Sequence, residues 1–320
     1  MQSKVVLISP ASKEANNGNW HTAHRWARFI SGYCDIAIAQ NWTATDEPLD
    51  AMIALHARRS APSIHAWAAL HPDKSLVVVL TGTDLYRDIQ TDSAARQSLH
   101  LATHLVVLQD AGLDVLPTTL RVKTRVIFQS ATRFKPAVKS TGRFNVVMVG
   151  HLRDEKDPLT YMQAARLLPA RNLHFELIGD GLDDALAWQA TSMAAQINFK
   201  WLGGLPRAET RQRIKRAHVL VNSSVMEGGA HVILEAVQSG TSVLASRISG
   251  NIGMLGADYA GYFKVGDAGE LAALITRCTQ EPLFLGHLQS QCALRAELFE
   301  PALEKRLVLN LLSSILKEPK

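Results

Sequence analysis

HVLVNSSVMEGGAHVILEAVQSGTSVLAS, residues 218–246, carries the reading of the fold. An apolar run, HVLVNS (218–223), is followed by Glu227, Gly228 and Gly229, then by a helix-like stretch from Ala230 to Ser239. Gly240 stops that stretch, and a second apolar run, TSVLAS (241–246), follows. Continuous apolar runs, as opposed to alternating ones, belong to strands buried on both faces, and helices between them make those strands parallel. The pattern extends back through FNVVMVG (144–150), LHFELIG (173–179) and NFKWLG (198–203). An earlier series repeats it: KVVLI (4–8), DIAIA (35–39), DAMIA (50–54), SLVVVL (75–80), HLVVL (104–108) and RVIF (125–128), with helix-like segments at 20–32, 60–70 and 91–101. Between the series, KPAVKSTGR (135–143) is polar, contains Pro and Gly, and reads as an interdomain linker. The expected fold class is α/β, with two facing Rossmann-like doubly wound parallel-sheet domains at 1–138 and 139–300. A leucine-rich amphipathic helix within 301–320 is expected to pack back toward the first domain.

The length of 320 residues suits two domains of about 150. An apolar fraction of 47% and a charged fraction of 20% exclude disordered and fibrous classes. The net charge is +5, and most of it lies early: residues 1–140 hold 15 Lys and Arg against 11 Asp and Glu. An excess this mild suits a small anionic substrate and does not require nucleic acid. Aromatics are only 6%, without basic-aromatic interleaving, which argues further against nucleic acid. Cys34, Cys278 and Cys292 have no short pair spacing, so neither a disulfide framework nor a zinc cluster is expected. The N-terminal apolar run is too short for a signal peptide, and no run approaches the roughly 18 apolar residues of a membrane helix. A cytoplasmic protein without stable membrane insertion is expected. The motifs GxSxG, GxxxxGK[ST] and HExxH are all missing.

Ligands of doubly wound sheets bind at the carboxyl ends of the strands, so the candidate residues are those following each apolar run. In the second series, Gly228 and Gly229 let a backbone approach a ligand at a helix start, where Ala230 and His231 would present N–H groups to an anion. Glu227 precedes that helix and Glu235 lies two turns into it. On spacing alone, these residues equally describe a tight turn and a solvated helix carboxylate. VGHLRDEKDP (149–158) places Gly150, His151, Arg153 and Lys156 in a strand-to-helix loop, with Pro158 near the first helical position. A lysine there reaches a diphosphate as a point charge, although an exposed charged loop has the same composition. Gly179 and Leu202 mark two further strand ends. In the first series, Asn17, Gly18 and Asn19 make an anion loop. His56, Arg58 and Arg59 gather positive charge in one turn, and Thr81, Gly82, Thr83 and Asp84 offer hydroxyls, N–H groups and a carboxylate. Asp84 is equally a helix cap.

Together these residues resemble the two-domain GT-B glycosyltransferases of the large family typified by retaining sucrose- and mannosyl-transferases. The signature is an acidic residue, seven others, then Glu: here Glu227 to Glu235, with EGG and EAVQSGTSVLAS in register. The resemblance runs over essentially the whole chain. It implies a nucleotide-diphosphate-sugar donor on the second domain, Glu235 on the ribose, Glu227 with Gly228 and Gly229 at the sugar and diphosphate, and Lys156 at the diphosphate. His151 stands where that family usually has Arg, so a second cation at the diphosphate would come from Arg153 or from a protonated His151.

A narrower resemblance is carried by ALHARRSAPSIHAW (54–67), TGTDLYRD (81–88), LVVLQ (105–109), VGHLR (149–153), MEGGAHV (226–232) and SRISGNIGMLGADYAGYF (246–263). These segments are similar to the selenosugar synthases of selenoneine biosynthesis, in which VGHLR is part of the pattern. That resemblance implies transfer of N-acetylglucosamine from UDP-N-acetylglucosamine to selenophosphate, with a carbon–selenium bond formed and UDP and phosphate released. An anionic acceptor needs its charge neutralised, and the candidates for that are Asn17–Asn19, His56, Arg58, Arg59 and Thr81–Asp84. Glu227, Lys156, His56 and Asp84 are then the catalytic candidates, with no metal or other cofactor expected. The alternative is a transferase of the same family acting on a hydroxyl of a sugar, lipid or small molecule. For a membrane-borne acceptor, the segment 20–32 with Trp20, Arg25, Trp26, Arg28 and Phe29 is the candidate surface.

Overall fold

The computed structural model describes residues 2–12, 18–44, 48–168, 172–195 and 198–317. By contacts the chain divides into two compact units. The first comprises Met1–Ser130, Glu227–Gly229 and Pro301–Lys320, and the second Ala131–Met226 and Ala230–Glu300.

The first unit is built on a six-stranded parallel sheet of β1 (Lys4–Ile8), β2 (Asp35–Ala39), β3 (Ala51–Leu55), β4 (Ser75–Leu80), β5 (His104–Val107) and β6 (Thr124–Val126). Their order is β2-β1-β3-β4-β5-β6. Every residue of β3 and β4 is buried, which explains their unbroken apolar sequences. Successive residues feed opposite faces. Val6, Ile8, Met52 and Val78 enter one core, and Val5, Leu7, Ile53 and Val77 enter the other. The second core is closed by Trp26 and Ile30 of the helix Gly18–Ile30. Val308, Leu311, Leu312 and Ile315 of the C-terminal helix complete it.

The second unit has a parallel sheet of β7 (Phe144–Val149), β8 (Leu173–Ile178), β9 (Phe199–Trp201), β10 (Val219–Asn222), β11 (Ser242–Ser246) and β12 (Tyr262–Phe263). Their order is β12-β11-β10-β7-β8-β9. Sequence reasoning reaches eleven of the twelve strands and passes over β12, whose two residues are too few to show a pattern. The two sheets change direction at different places. In the first, β1 and β3 part the chain; in the second, β7 and β10 do. Those are the positions where a doubly wound sheet opens a crevice at its carboxyl edge.

The polar stretch read as a linker, 135–143, and the residues just before it are anchored to the second unit. Ala131 N–H donates to Phe299 O at 3.2 Å, and Phe134 N–H to Gln238 O at 2.9 Å. The Lys139 ammonium donates to Lys215 O, Ala217 O and Thr241 Oγ1 at 2.6–2.9 Å. Burial, with Lys215 nearby, lowers its pKa to about 8. Among the described residues, no helix is long and apolar enough to cross a membrane.

Candidate functional site

In the first unit the candidate residues gather beyond β3 and β4. His56 follows β3 directly and adopts a left-handed backbone, φ 72. A non-glycine residue in that region is strained, and such strain collects at functional sites. The ring is almost wholly buried. Nδ1 accepts the Arg59 N–H at 3.2 Å, which leaves the ring proton on Nε2, 3.0 Å from Thr83 Oγ1. Burial lowers the His56 pKa, and Arg59 adds to that; Asp84 and Asp88 pull the other way. The ring is therefore neutral at neutral pH.

TGTDLYRD forms a π-helical turn, Asp84–Asp88, closed by Ile89 N–H on Asp84 O. Such wide turns are rare and favour functional sites. Asp84 is fully buried and occupied by backbone: Oδ2 accepts Ala57 N–H, and Oδ1 accepts Thr81 and Gly82 N–H, each at 2.9 Å. It ties the β3 loop to the β4 loop, a positioning task different from the helix cap the sequence suggests. Gly82 has φ 143 and lies against the backbone of Gly228. A Cβ at Gly228 would strike Thr81, and one at Gly229 would crowd Leu108.

The paired arginines separate. Arg58 is ion-paired with Asp92 at 3.1 Å and lies 4.0 Å from Asp88. Arg59 is exposed, and among the described residues its guanidinium has no ion pair or hydrogen bond. Gly18 and Asn19 open the helix Gly18–Ile30. Asn17 lies outside the described residues. On that helix Arg25 and the buried Trp26 turn inward to Glu304, at 2.7 Å and 2.9 Å, so neither serves a membrane surface.

In the second unit, glycine backbones crowd the strand ends. Gly179 has φ 149, and a Cβ there would collide with the Gly150 carbonyl. Gly150 N–H donates to Ile178 O, and Gly179 N–H to Gly203 O, both at 2.8 Å. Leu202 N–H donates to Leu177 O at 2.9 Å, and its side chain is half-buried. Lys156 ends a short turn, Asp154–Lys156, and its stem packs 3.4 Å from where a Gly150 side chain would start. Asp157 follows at φ 44 and caps the helix Pro158–Leu167 by accepting Thr160 N–H at 3.2 Å. The loops after β7 and β10 are joined: Ser223 Oγ donates to Lys156 O and Asp157 O, and Val225 N–H to Glu155 O.

His151 Nδ1 accepts the Asp180 N–H at 3.2 Å, and burial lowers its pKa despite Asp180. It is therefore a neutral Nε2–H donor, not the second cation. Arg153 is half-exposed, with Glu155 3.9 Å from its Nε. Ala230 caps the helix His231–Val237 without a side-chain bond, and His231 opens that helix half-buried. Glu227 is buried. Glu235 is buried too, and its Oε1 accepts Arg207 at 3.1 Å, with Arg211 at 3.8 Å. Sequence reasoning missed Asp88, Asp92, Asp157, Ser223 and Arg207. Of these, Asp88, Asp157 and Ser223 lie in segments already singled out, and Asp157, directly before Pro158, carried the signal of a helix cap; Asp92 and Arg207 carried none. Among the described residues, no three His, Cys, Asp or Glu side chains are arranged to hold a metal ion.

A family model described as "Glycosyl transferases group 1" matches residues 129–296. Glycosyltransferase 1 domain-containing protein 1 of Xenopus tropicalis is 30% identical over 154 residues, 47% of this chain and 43% of that protein. An Escherichia coli UDP-Gal:alpha-D-GlcNAc-diphosphoundecaprenol alpha-1,3-galactosyltransferase is 28% identical over 145 residues, 43% of this chain and 37% of that one. The matches thus span less than half of those relatives. Among solved structures, Anabaena HepE in complex with UDP and glucose superposes with a TM-score of 0.75 at 15% identity, covering 98% of this chain and 100% of that one. Sucrose-phosphate synthase from Thermosynechococcus elongatus gives 0.79 at 15% identity, covering 98% and 99%. These likenesses establish the GT-B fold expected from the sequence.

Proposed function

The chain belongs to the glycosyl transferases of group 1, and on that premise we propose that it transfers N-acetylglucosamine from UDP-N-acetylglucosamine to selenophosphate. The UDP donor is supported by the HepE structures with UDP and UDP-glucose and by the UDP-galactose named for the Escherichia coli relative. The observation that carries the acceptor is Arg59. It is the uncompensated cation of the first unit's strained turn, beside an Arg58 already neutralised by Asp92. HARRS and TGTDLYRD, the segments of the narrower resemblance, supply that turn and the carboxylates holding it.

Selenium attacks C1 of the donor sugar, and the bond from C1 to the diphosphate oxygen breaks with its electron pair leaving on UDP. Lys156 and the N–H groups of Gly229 and Ala230 offset the charge growing on the diphosphate. Glu235 takes the ribose hydroxyls, sharing its carboxylate with Arg207. Glu227 faces the sugar. Arg59 and the Thr83 hydroxyl neutralise and orient the acceptor. Selenium in selenophosphate is already nucleophilic, so no strong base is needed. Water then attacks phosphorus, the phosphorus–selenium pair returns to selenium, and phosphate departs.

The test is to incubate the protein with UDP-N-acetylglucosamine and selenophosphate, following UDP release and the mass of the sugar product. Selenium-dependent UDP release with a selenosugar product is the expected result. UDP release that ignores selenophosphate but responds to a hydroxyl acceptor would replace it with the hydroxyl reading, which the neutral, buried His56 also suits.

A further inference from the structure

Asp88 closes the TGTDLYRD segment but takes no part in the transfer steps above, and it is a conspicuous polar group of the first unit. Its side chain is 4% exposed. Oδ1 accepts Arg87 Nε–H at 3.2 Å and lies 4.0 Å from Arg58. Oδ2 is buried, has no hydrogen-bond partner among the described residues, and lies 3.9 Å from His56 Nε2. An unsatisfied buried carboxylate oxygen opposes folding. The left-handed backbone of His56 opposes it as well. Both unfavourable features converge on one imidazole, and the π-helical turn is what brings Asp88 there.

Resting on the reading of the first unit as the acceptor side, we propose that Asp88 is a positioning residue that orients the acceptor-binding groups through His56. A negative carboxylate opposite Nε2 favours the tautomer with its proton on Nε2. That proton is donated to Thr83 Oγ1. With its oxygen engaged as an acceptor, the Thr83 hydroxyl turns its own proton outward, toward an anion. On the other side of the ring, the bare Nδ1 holds the Arg59 N–H and so fixes the turn that displays the Arg59 guanidinium. One orphaned oxygen thereby sets two anion donors at once. The charged groups acting on the ring are Asp84, Arg59 and Asp88; Asp84 is bound by three backbone N–H groups.

The test compares wild type with Asp88→Asn, which keeps shape and removes charge. Nitrogen-15 NMR of labelled histidine should show His56 in the Nε2–H form in the wild type, and a mixture of tautomers in Asp88→Asn. The variant's KM for selenophosphate should rise about 10-fold while its KM for the UDP-sugar stays within about 2-fold. A merely structural role would lower thermal stability and leave the tautomer and the KM split unmoved, and that result would overturn the proposal. A wild-type His56 with its proton on Nδ1 would overturn it without any variant. If the wild type ignores selenophosphate, the acceptor assignment fails, yet the NMR comparison still decides whether Asp88 sets the ring.

Discussion

Among the described residues, two that are not glycine adopt positive φ, His56 and Asp157, one in each unit. Each lies beside a strand that borders the place where its sheet reverses, β3 for His56 and β7 for Asp157. The two are compensated in opposite ways. Asp157 caps the helix it begins through Thr160, and its carbonyl is held by Ser223 from the loop after β10, all by ordinary hydrogen bonds with no buried charge left over. His56 is held by Arg59, by Thr83 and by two carboxylates contributed from about thirty residues away. The second unit's edge is made of backbone, with glycines pressed together and a lysine laid over them. The first unit's edge has a glycine contact of its own, Gly82 on Gly228, but is organised around the buried side chains of His56, Asp84 and Asp88. Backbone sites recognise a common group such as a diphosphate, whereas side-chain sites can be recast for a particular acceptor.

The sharpest test of this division is Lys156→Ala. If Lys156 is the diphosphate cation proposed above, its loss should cut kcat about 100-fold with any acceptor, measured by UDP release. An effect confined to one acceptor would break the assignment of backbone and lysine to the donor. Next, Asp157→Ala keeps the strained backbone and loses the cap, and should destabilise by about 2 kcal/mol in urea unfolding. Asp157→Gly removes strain and cap together and should be close to neutral. Equal losses for both would mean the left-handed backbone carries no cost. Arg59→Ala should raise the KM for selenophosphate about 10-fold, and Arg58→Ala by less than about 3-fold, because its charge is already neutralised by Asp92. The reverse order would exchange their places.

The smallest expected effect is on pH. Burial lowers the His56 pKa below its ordinary 6.5. As pH falls, the unfolded chain binds that proton first, so stability is complete above about pH 6.5 and declines below it. His151 is also lowered but more exposed. His56→Gln should therefore flatten the acid side of a plot of melting temperature against pH more than His151→Gln does.

The same contrast explains what could be read from the chain. The parallel sheets were visible because β3, β4, β10 and β11 are buried on both faces and so appear as unbroken apolar runs. Gly150, Gly179, Lys156 and Glu235 stood out because each follows a strand or sits at a fixed helical offset. Asp88 and Arg207 did not, since their meaning comes from partners distant in sequence. The sequence read Arg58 and Arg59 as equals; only the fold brings Asp92 to one of them. His151 read as a possible cation, and its neutrality comes from burial and from the Asp180 N–H, neither of which spacing reveals.

The C-terminal helix has a consequence for synthesis. Glu304 is fully buried and accepts Arg25, Trp26 and Ser130, all from the beginning of the chain or the end of the first sheet. Until the ribosome has made residues 301–317, those donors and the part of one face of the first sheet that this helix covers stay exposed. At ordinary elongation rates that interval is on the order of ten seconds or more. The second unit, encoded later, has all its residues by Glu300, before that helix exists. The nascent first half must wait for the chain's last helix, a window in which chaperones matter more to it than to the half that follows.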